Sequence, residues 1–151
     1  MLPRVEYSVV VPVSAERAFR AFCTLDRLLH RGVYEEASWV EGKPWQAGSR
    51  IRFVTLAPVK TTIAAVVTSY RPDRSIGLLN HAVGITVEQW VTFDPESKGG
   101  ARVRMTMEFV GKSSELSDDA VEQAITFYTH DALDSMAALC SQPNGAFSAS
   151  K

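Results

Sequence analysis

A chain of 151 residues has the length of one domain and can enclose a hydrophobic core. Its 46% hydrophobic and 22% charged residues suit a water-soluble globular protein. Sixteen basic against 17 acidic residues leave a formal charge of -1, which argues against nucleic acid as the main partner, because a phosphate-binding surface carries a basic excess.

No run approaches the roughly 18 apolar residues of a membrane span. The start, MLPRVEYSVVVPVSAERAF, alternates apolar and polar residues and breaks at Pro12, unlike a secretory signal. Cys23 and Cys140 fall in helical segments without a CxxC or a histidine at metal spacing. This predicts reduced thiols in a cytoplasmic protein, with a single disulfide as the open alternative, and neither a metal nor a cofactor.

In chain order, the β-branched run Val5 to Val13 predicts a first strand. Ser14 then caps a short helix carrying Ala18, Phe19, Ala21 and Phe22, and Leu25 to His30 reads as a second helical turn ended by Gly32. From there the apolar period becomes two. Strands are predicted over Tyr34 to Glu41, Ser49 to Leu56, Lys60 to Tyr70, Ser75 to Ala82, Ile85 to Phe93 and Arg102 to Val110. Arg71-Pro72-Asp73-Arg74 and Asp94 to Gly100 are turns, and six strands joined so briefly imply an antiparallel meander.

Ser117 caps a long closing helix that reaches Leu139, with Asp118 and Asp119 in its first turn. Val121, Ile125, Tyr128, Ala132, Met136 and Leu139 make its apolar stripe. The domain is taken as residues 1–140, and Ser141 to Lys151 reads as a loose tail.

A seven-stranded antiparallel sheet of this length curls, and one helix about 10 Å wide cannot cover its whole concave face. The expected architecture is therefore α+β, with either large side chains or a cavity between sheet and helix. On the last strand Val103, Met105, Met107 and Phe109 share the inward parity, and Arg102, Arg104, Thr106 and Glu108 the outward one.

Four segments carry a family resemblance: VPVSAERAFRAF at 11–22, Trp39-Val40-Glu41-Gly42 followed by Gly48, SYRPDRSIGLL at 69–79, and FDPESKGGARVRM at 93–105. In this order, across about residues 4–140, they resemble the START-like or SRPBCC superfamily of birch-pollen-allergen-like, polyketide cyclase/dehydrase-like and lipid-transfer proteins. One departure is Gly100-Ala101-Arg102, where the family usually has Gly-Thr-Arg. The resemblance implies a helix-grip fold, a curved sheet around the C-terminal helix with a ligand cavity. It implies no catalytic residue.

The stretch Ser38 to Phe53 holds two tryptophans and two glycines. Gly42 and Gly48 mark a corner between strands, Trp39 reads as structural packing, and Trp45 as a cover for the cavity mouth. Of the three histidines, His130 falls opposite the stripe and is expected in solvent, and His30 caps the second helical turn. His81 shares parity with Leu79 and Val83. It is either a cavity imidazole with a tunable pKa or a hydrogen-bonded core or edge residue.

Gln89 shares a face with Val87, Val91 and Phe93 and would be a buried amide in need of partners. Asp131 lies at the edge of the stripe holding Tyr128 and Ser135, either lining the cavity or paired with a base. The expected ligand-facing set is thus Trp45, Phe53, His81, Gln89, Met105, Met107, Tyr128 and Ser135, with His81 and Asp131 as catalytic candidates.

Three functions follow. One is binding of a small hydrophobic or aromatic molecule, and a second is a cyclase or dehydratase reaction through cavity acid/base groups. The third is an interaction module resembling heat-shock-protein ATPase activator homologues, which would use an apolar outer sheet face. The arginines at 50, 52, 102 and 104 disfavour that one. A homodimer is compatible with a domain of this size.

Overall fold

In the computed structural model, which describes residues 4–142, seven strands form one antiparallel sheet. The elements are β1 (Arg4–Val11), α1 (Ala15–Cys23), a 3-10 helix (Leu25–His30), β2 (Tyr34–Glu41), β3 (Arg50–Thr55), β4 (Thr61–Arg71), β5 (Ser75–Ala82), β6 (Ile85–Pro95), β7 (Ala101–Lys112) and α2 (Asp118–Cys140). After Gln142 the loose tail expected from the sequence lies outside the described residues.

The sheet order is β1-β7-β6-β5-β4-β3-β2. Strands β2 to β7 are the expected meander, and β1 returns to pair with β7 through Val5 opposite Met107 and Tyr7 opposite Met105. β1 stops at Val11, before the expected Val13, because Pro12 has no N–H to give the ladder. Register shifts interrupt the β2–β3, β4–β5 and β6–β7 ladders, and such bulges bend a sheet toward concavity.

Ser14 caps α1 by accepting from the Arg17 backbone N–H at 3.2 Å, which frees the chain to bury Ala18, Phe19, Ala21 and Phe22 on one face. Phe93 receives Phe19 and Phe22 edge-on at 5.0 and 5.7 Å, fixing α1 against the sheet. Ser117 caps α2 in the same way through the Ala120 N–H at 3.1 Å.

The predicted stripe of α2 faces inward, with Val121, Tyr128 and Met136 buried. Burial also reaches Thr129, Leu133 and Cys140, because α2 packs on β1 and α1 with a second side. One side is therefore left for the sheet's concavity. Cys23 and Cys140 are both free thiols, which removes the disulfide alternative.

On β7 Val103, Met105, Met107 and Phe109 are buried, while Arg104 and Glu108 are exposed. The outer face carries solvent-exposed ion pairs such as Arg52–Glu36 at 3.0 Å and Arg104–Glu6 at 3.7 Å. Pairs of this kind contribute little stability but keep the face polar.

Candidate ligand cavity

Inward parity on the strands decides what lines the concavity. Val87 and Gln89 of β6 face in, and the register sets them opposite Asn80 and Leu78 of β5. Leu78, Asn80, Val87, Gln89, Met105 and Met107 thus form one wall. Val121, Ala124, Ile125, Tyr128 and Ala132 of α2 form the other, and Phe22, Leu25, Arg27 and Leu28 close one end. The cavity measures about 300 Å³. Val59 and Val83, both exposed, also line it and mark its rim.

Trp45, Phe53, Gln89, Met105, Met107 and Tyr128 from the expected set lie on this wall. Trp45 sits in the corner that opens at Gly42 (φ 81°) and closes at Gly48 (φ 94°), and its own φ is 66°. Holding a bulky residue in that region costs on the order of 1 kcal/mol. Its indole N–H donates to the Cys23 carbonyl at 3.2 Å, and Trp39 meets its ring edge-on at 5.0 Å. Trp45 is therefore a buried pillar that ties the β2–β3 corner to the end of α1 and presents a face to the cavity.

Three residues sit elsewhere. His81 is exposed on the outer face, where its Nδ1 lies 3.2 Å from Thr86 Oγ1. The inward reading is corrected by the register, because Asn80 takes the inward position beside it. Asp131 and Ser135 are buried but not on the cavity wall. Asp131 Oδ1 accepts from Arg31 Nε at 2.7 Å, and its Oδ2 has no hydrogen-bond partner. Ser135 accepts from Arg27 Nη1 at 2.8 Å and donates to the Ala132 carbonyl at 3.1 Å.

The buried amide of Gln89 is partnered: its Oε1 accepts from Asn80 Nδ2 at 3.0 Å, and its Nε2 points at Met105 Sδ at 3.6 Å. Tyr128 donates to Thr55 Oγ1 at 3.3 Å. His30 is exposed at the end of the 3-10 helix. His130 is also exposed, yet its ring stacks on Tyr7 at 3.9 Å, and Tyr7 donates to Asp134 at 2.8 Å.

Sequence reasoning passed over Arg27 and Tyr34. Arg27 is 9% exposed, and its Nε donates to the Ala21 carbonyl at 3.1 Å. Burial lowers its pKa to about 10, so the guanidinium stays charged at neutral pH. Burial and the nearby Asp131 carboxylate push the Tyr34 phenol up. Burial also raises the Cys23 thiol to about 12 and the Cys140 thiol to about 11, so both are neutral thiols in the core. Among the described residues no cluster of three or more His, Cys, Asp or Glu side chains could hold a metal ion.

A bent antiparallel sheet gripping a terminal helix across an apolar cavity defines a helix-grip protein. The chain belongs to the polyketide cyclase/dehydrase and lipid transport family, part of the START-like superfamily, whose sequence model matches residues 3–141. Among solved structures it is similar to the Zhui aromatase/cyclase from Streptomyces sp. R1128, at 14% identity and a TM-score of 0.78, covering 93% of this chain and 94% of that one. It is also similar to Ara h 8.0201, at 12% identity and a TM-score of 0.76, covering 91% and 97%. A START superfamily protein from Mycobacterium smegmatis matches at 12% identity and a TM-score of 0.70, covering 89% and 94%. No curated protein matches the chain by sequence. At these identities the likeness is one of fold. No helix among the described residues is long and apolar enough to cross a membrane.

Proposed function

We propose that this chain is a cytoplasmic binding protein for one small hydrophobic or aromatic molecule, held between α2 and the concave sheet face. The cavity itself supports the reading most directly: its wall is aliphatic and aromatic, with polar groups confined to a few positions such as Arg27, Asn80 and Gln89. Met105 and Met107 lend the wall adaptability, since an unbranched thioether repacks around different shapes. Two unpaired thiols suit a reducing compartment.

The acid/base reading through His81 and Asp131 has less support. Catalysis needs two such groups within reach of one substrate atom. His81 is on the outer face, and Asp131 is engaged by Arg31 behind the cavity wall.

Titration with the neutral fluorophore N-phenyl-1-naphthylamine tests the binding function, together with native mass spectrometry of the same samples. The expected result is a blue-shifted, saturable emission and one adduct per chain. Unchanged emission with no adduct would overturn the proposal.

A further inference from the structure

The geometry points to an anion subsite at the 3-10 helix end of the cavity, where Arg27 receives the ionised carboxylate of an otherwise apolar ligand. This rests on the binding function proposed above and names the chemistry of the ligand's head.

Arg27 is a buried cation on the wall of an apolar cavity, and none of the ion pairs among the described residues includes it. Its Nε and Nη1 are committed to Ala21 and Ser135, at 3.1 and 2.8 Å. Nη2 makes no hydrogen bond to any described residue. A charge taken out of water is costly unless an opposite charge or a full set of acceptors meets it. Here the fold aims the guanidinium with two bonds and lays it over the Phe22 ring at 4.8 Å, and no described carboxylate is hydrogen-bonded to it.

The charges around it leave an excess of one positive unit. Asp131 is the nearby carboxylate from α2, and it is bound by Arg31 at 2.7 Å. Two guanidiniums therefore face one carboxylate. The groups packed around Arg27 from the other elements, Tyr34 of β2, Cys23 of α1 and Cys140 of α2, are all held neutral by burial. Tyr34 also lines the cavity, and its hydroxyl makes no hydrogen bond to a described residue, so it can serve as a second donor to the same oxyanion.

A planar guanidinium matches a carboxylate better than it matches a ketone or an alcohol, because charge and fork geometry act together. An apolar ring system then fills the space along Leu78, Val87 and Ile125 toward the rim.

Competition against N-phenyl-1-naphthylamine at neutral pH tests this, using 2-naphthoate and its neutral near-isostere 2-acetylnaphthalene. A charged hydrogen bond in a dry site predicts that naphthoate displaces the fluorophore at about tenfold lower concentration or better. Arg27→Met should erase that ratio, read for both competitors against the variant's own fluorophore titration, whereas a merely structural arginine would leave the ratio unchanged. Equal or stronger displacement by 2-acetylnaphthalene, or a naphthoate preference that survives in R27M, would overturn the subsite and leave the cavity reading standing. Failure of the wild-type protein to bind N-phenyl-1-naphthylamine would bring down both. Should R27M not fold, the Arg27 Nε–H resonance of the wild-type protein decides. It must shift with 2-naphthoate and stay in place with 2-acetylnaphthalene, and no shift with naphthoate overturns the proposal.

Discussion

Arg27 and Arg31 stand four residues apart, as do Asp131 and Ser135 on α2, and the two pairs meet in opposite order: Arg27 on Ser135, Arg31 on Asp131. The contacts differ in what their loss leaves behind. Ser135 keeps its bond to the Ala132 carbonyl when Arg27 is truncated, whereas Asp131 without Arg31 is a buried carboxylate with no hydrogen-bonded cation. Truncating Arg27 thus strands no buried charge, whereas truncating Arg31 strands one. The two thiols, Cys23 at the end of α1 and Cys140 at the end of α2, set a pH response. Cys23 and Cys140 rise from an ordinary value of 9.0 to about 12 and about 11 in the folded chain, chiefly through burial. Below pH 9 both folded and unfolded thiols are protonated and the contribution to stability is fully present. Above it the unfolded chain releases protons that the native chain retains, so stability falls as pH rises toward 11. The urea midpoint should drop over that range, and Cys140→Ala should flatten the drop. A midpoint that is level from pH 8 to 11 would contradict this burial of the thiols.

At the scale of elements, the β5–β6 hairpin does most to build the wall. Gly77 sits opposite Trp90 on the outer face, and a Cβ there would lie 2.5 Å from the indole Cζ3 and 2.8 Å from Thr68 Oγ1. The ring therefore covers the glycine and shields that strand pair from water. Gly77→Ala is expected to destabilise by about 1–3 kcal/mol through overpacking, and Trp90→Ala in the same chain should recover part of the loss. Urea unfolding of the single and double variants measures both, and a G77A as stable as wild type would show that the ring moves aside freely. The same hairpin shows what the sequence could and could not tell. Gln89 reads as inward from Val87, Val91 and Phe93, and the turn after Ala82 pairs it with Ile85, which carries the inward parity to Asn80 and away from His81. That inference was available from a two-residue turn, but the apolar run LLNHAV has no alternation of its own to announce it. Arg27 was less legible. It stands in LDRLLH, where a 3-10 helix buries residues by contact with α2 rather than by a periodic face, and no local pattern marks a buried arginine. The stripe of α2 and the alternation of β7 read clearly because each repeats over many residues.

For the whole molecule, the sheet bends further than one helix can fill, and the unfilled space is maintained at the expense of packing. Apolar side chains that line such a space forgo the contacts a filled core would give them. A protein selected for stability alone would close such a space with larger side chains, so its retention is itself an argument for an occupant. Small residues on α2 keep it open: Ala124 and Ala132 project from the stripe into the cavity, between larger neighbours Val121, Ile125 and Tyr128. Enlarging one of them separates stability from binding. Ala124→Leu adds apolar volume where there is room, and leucine keeps the helix propensity of α2 nearly unchanged. The expected outcome is a melting temperature equal to or a few degrees above wild type, together with an affinity for N-phenyl-1-naphthylamine at least about tenfold weaker, because the probe and the new side chain compete for one volume. A lower melting temperature with binding intact would mean that the leucine strains the core and that the space beside Ala124 is not where the molecule is held.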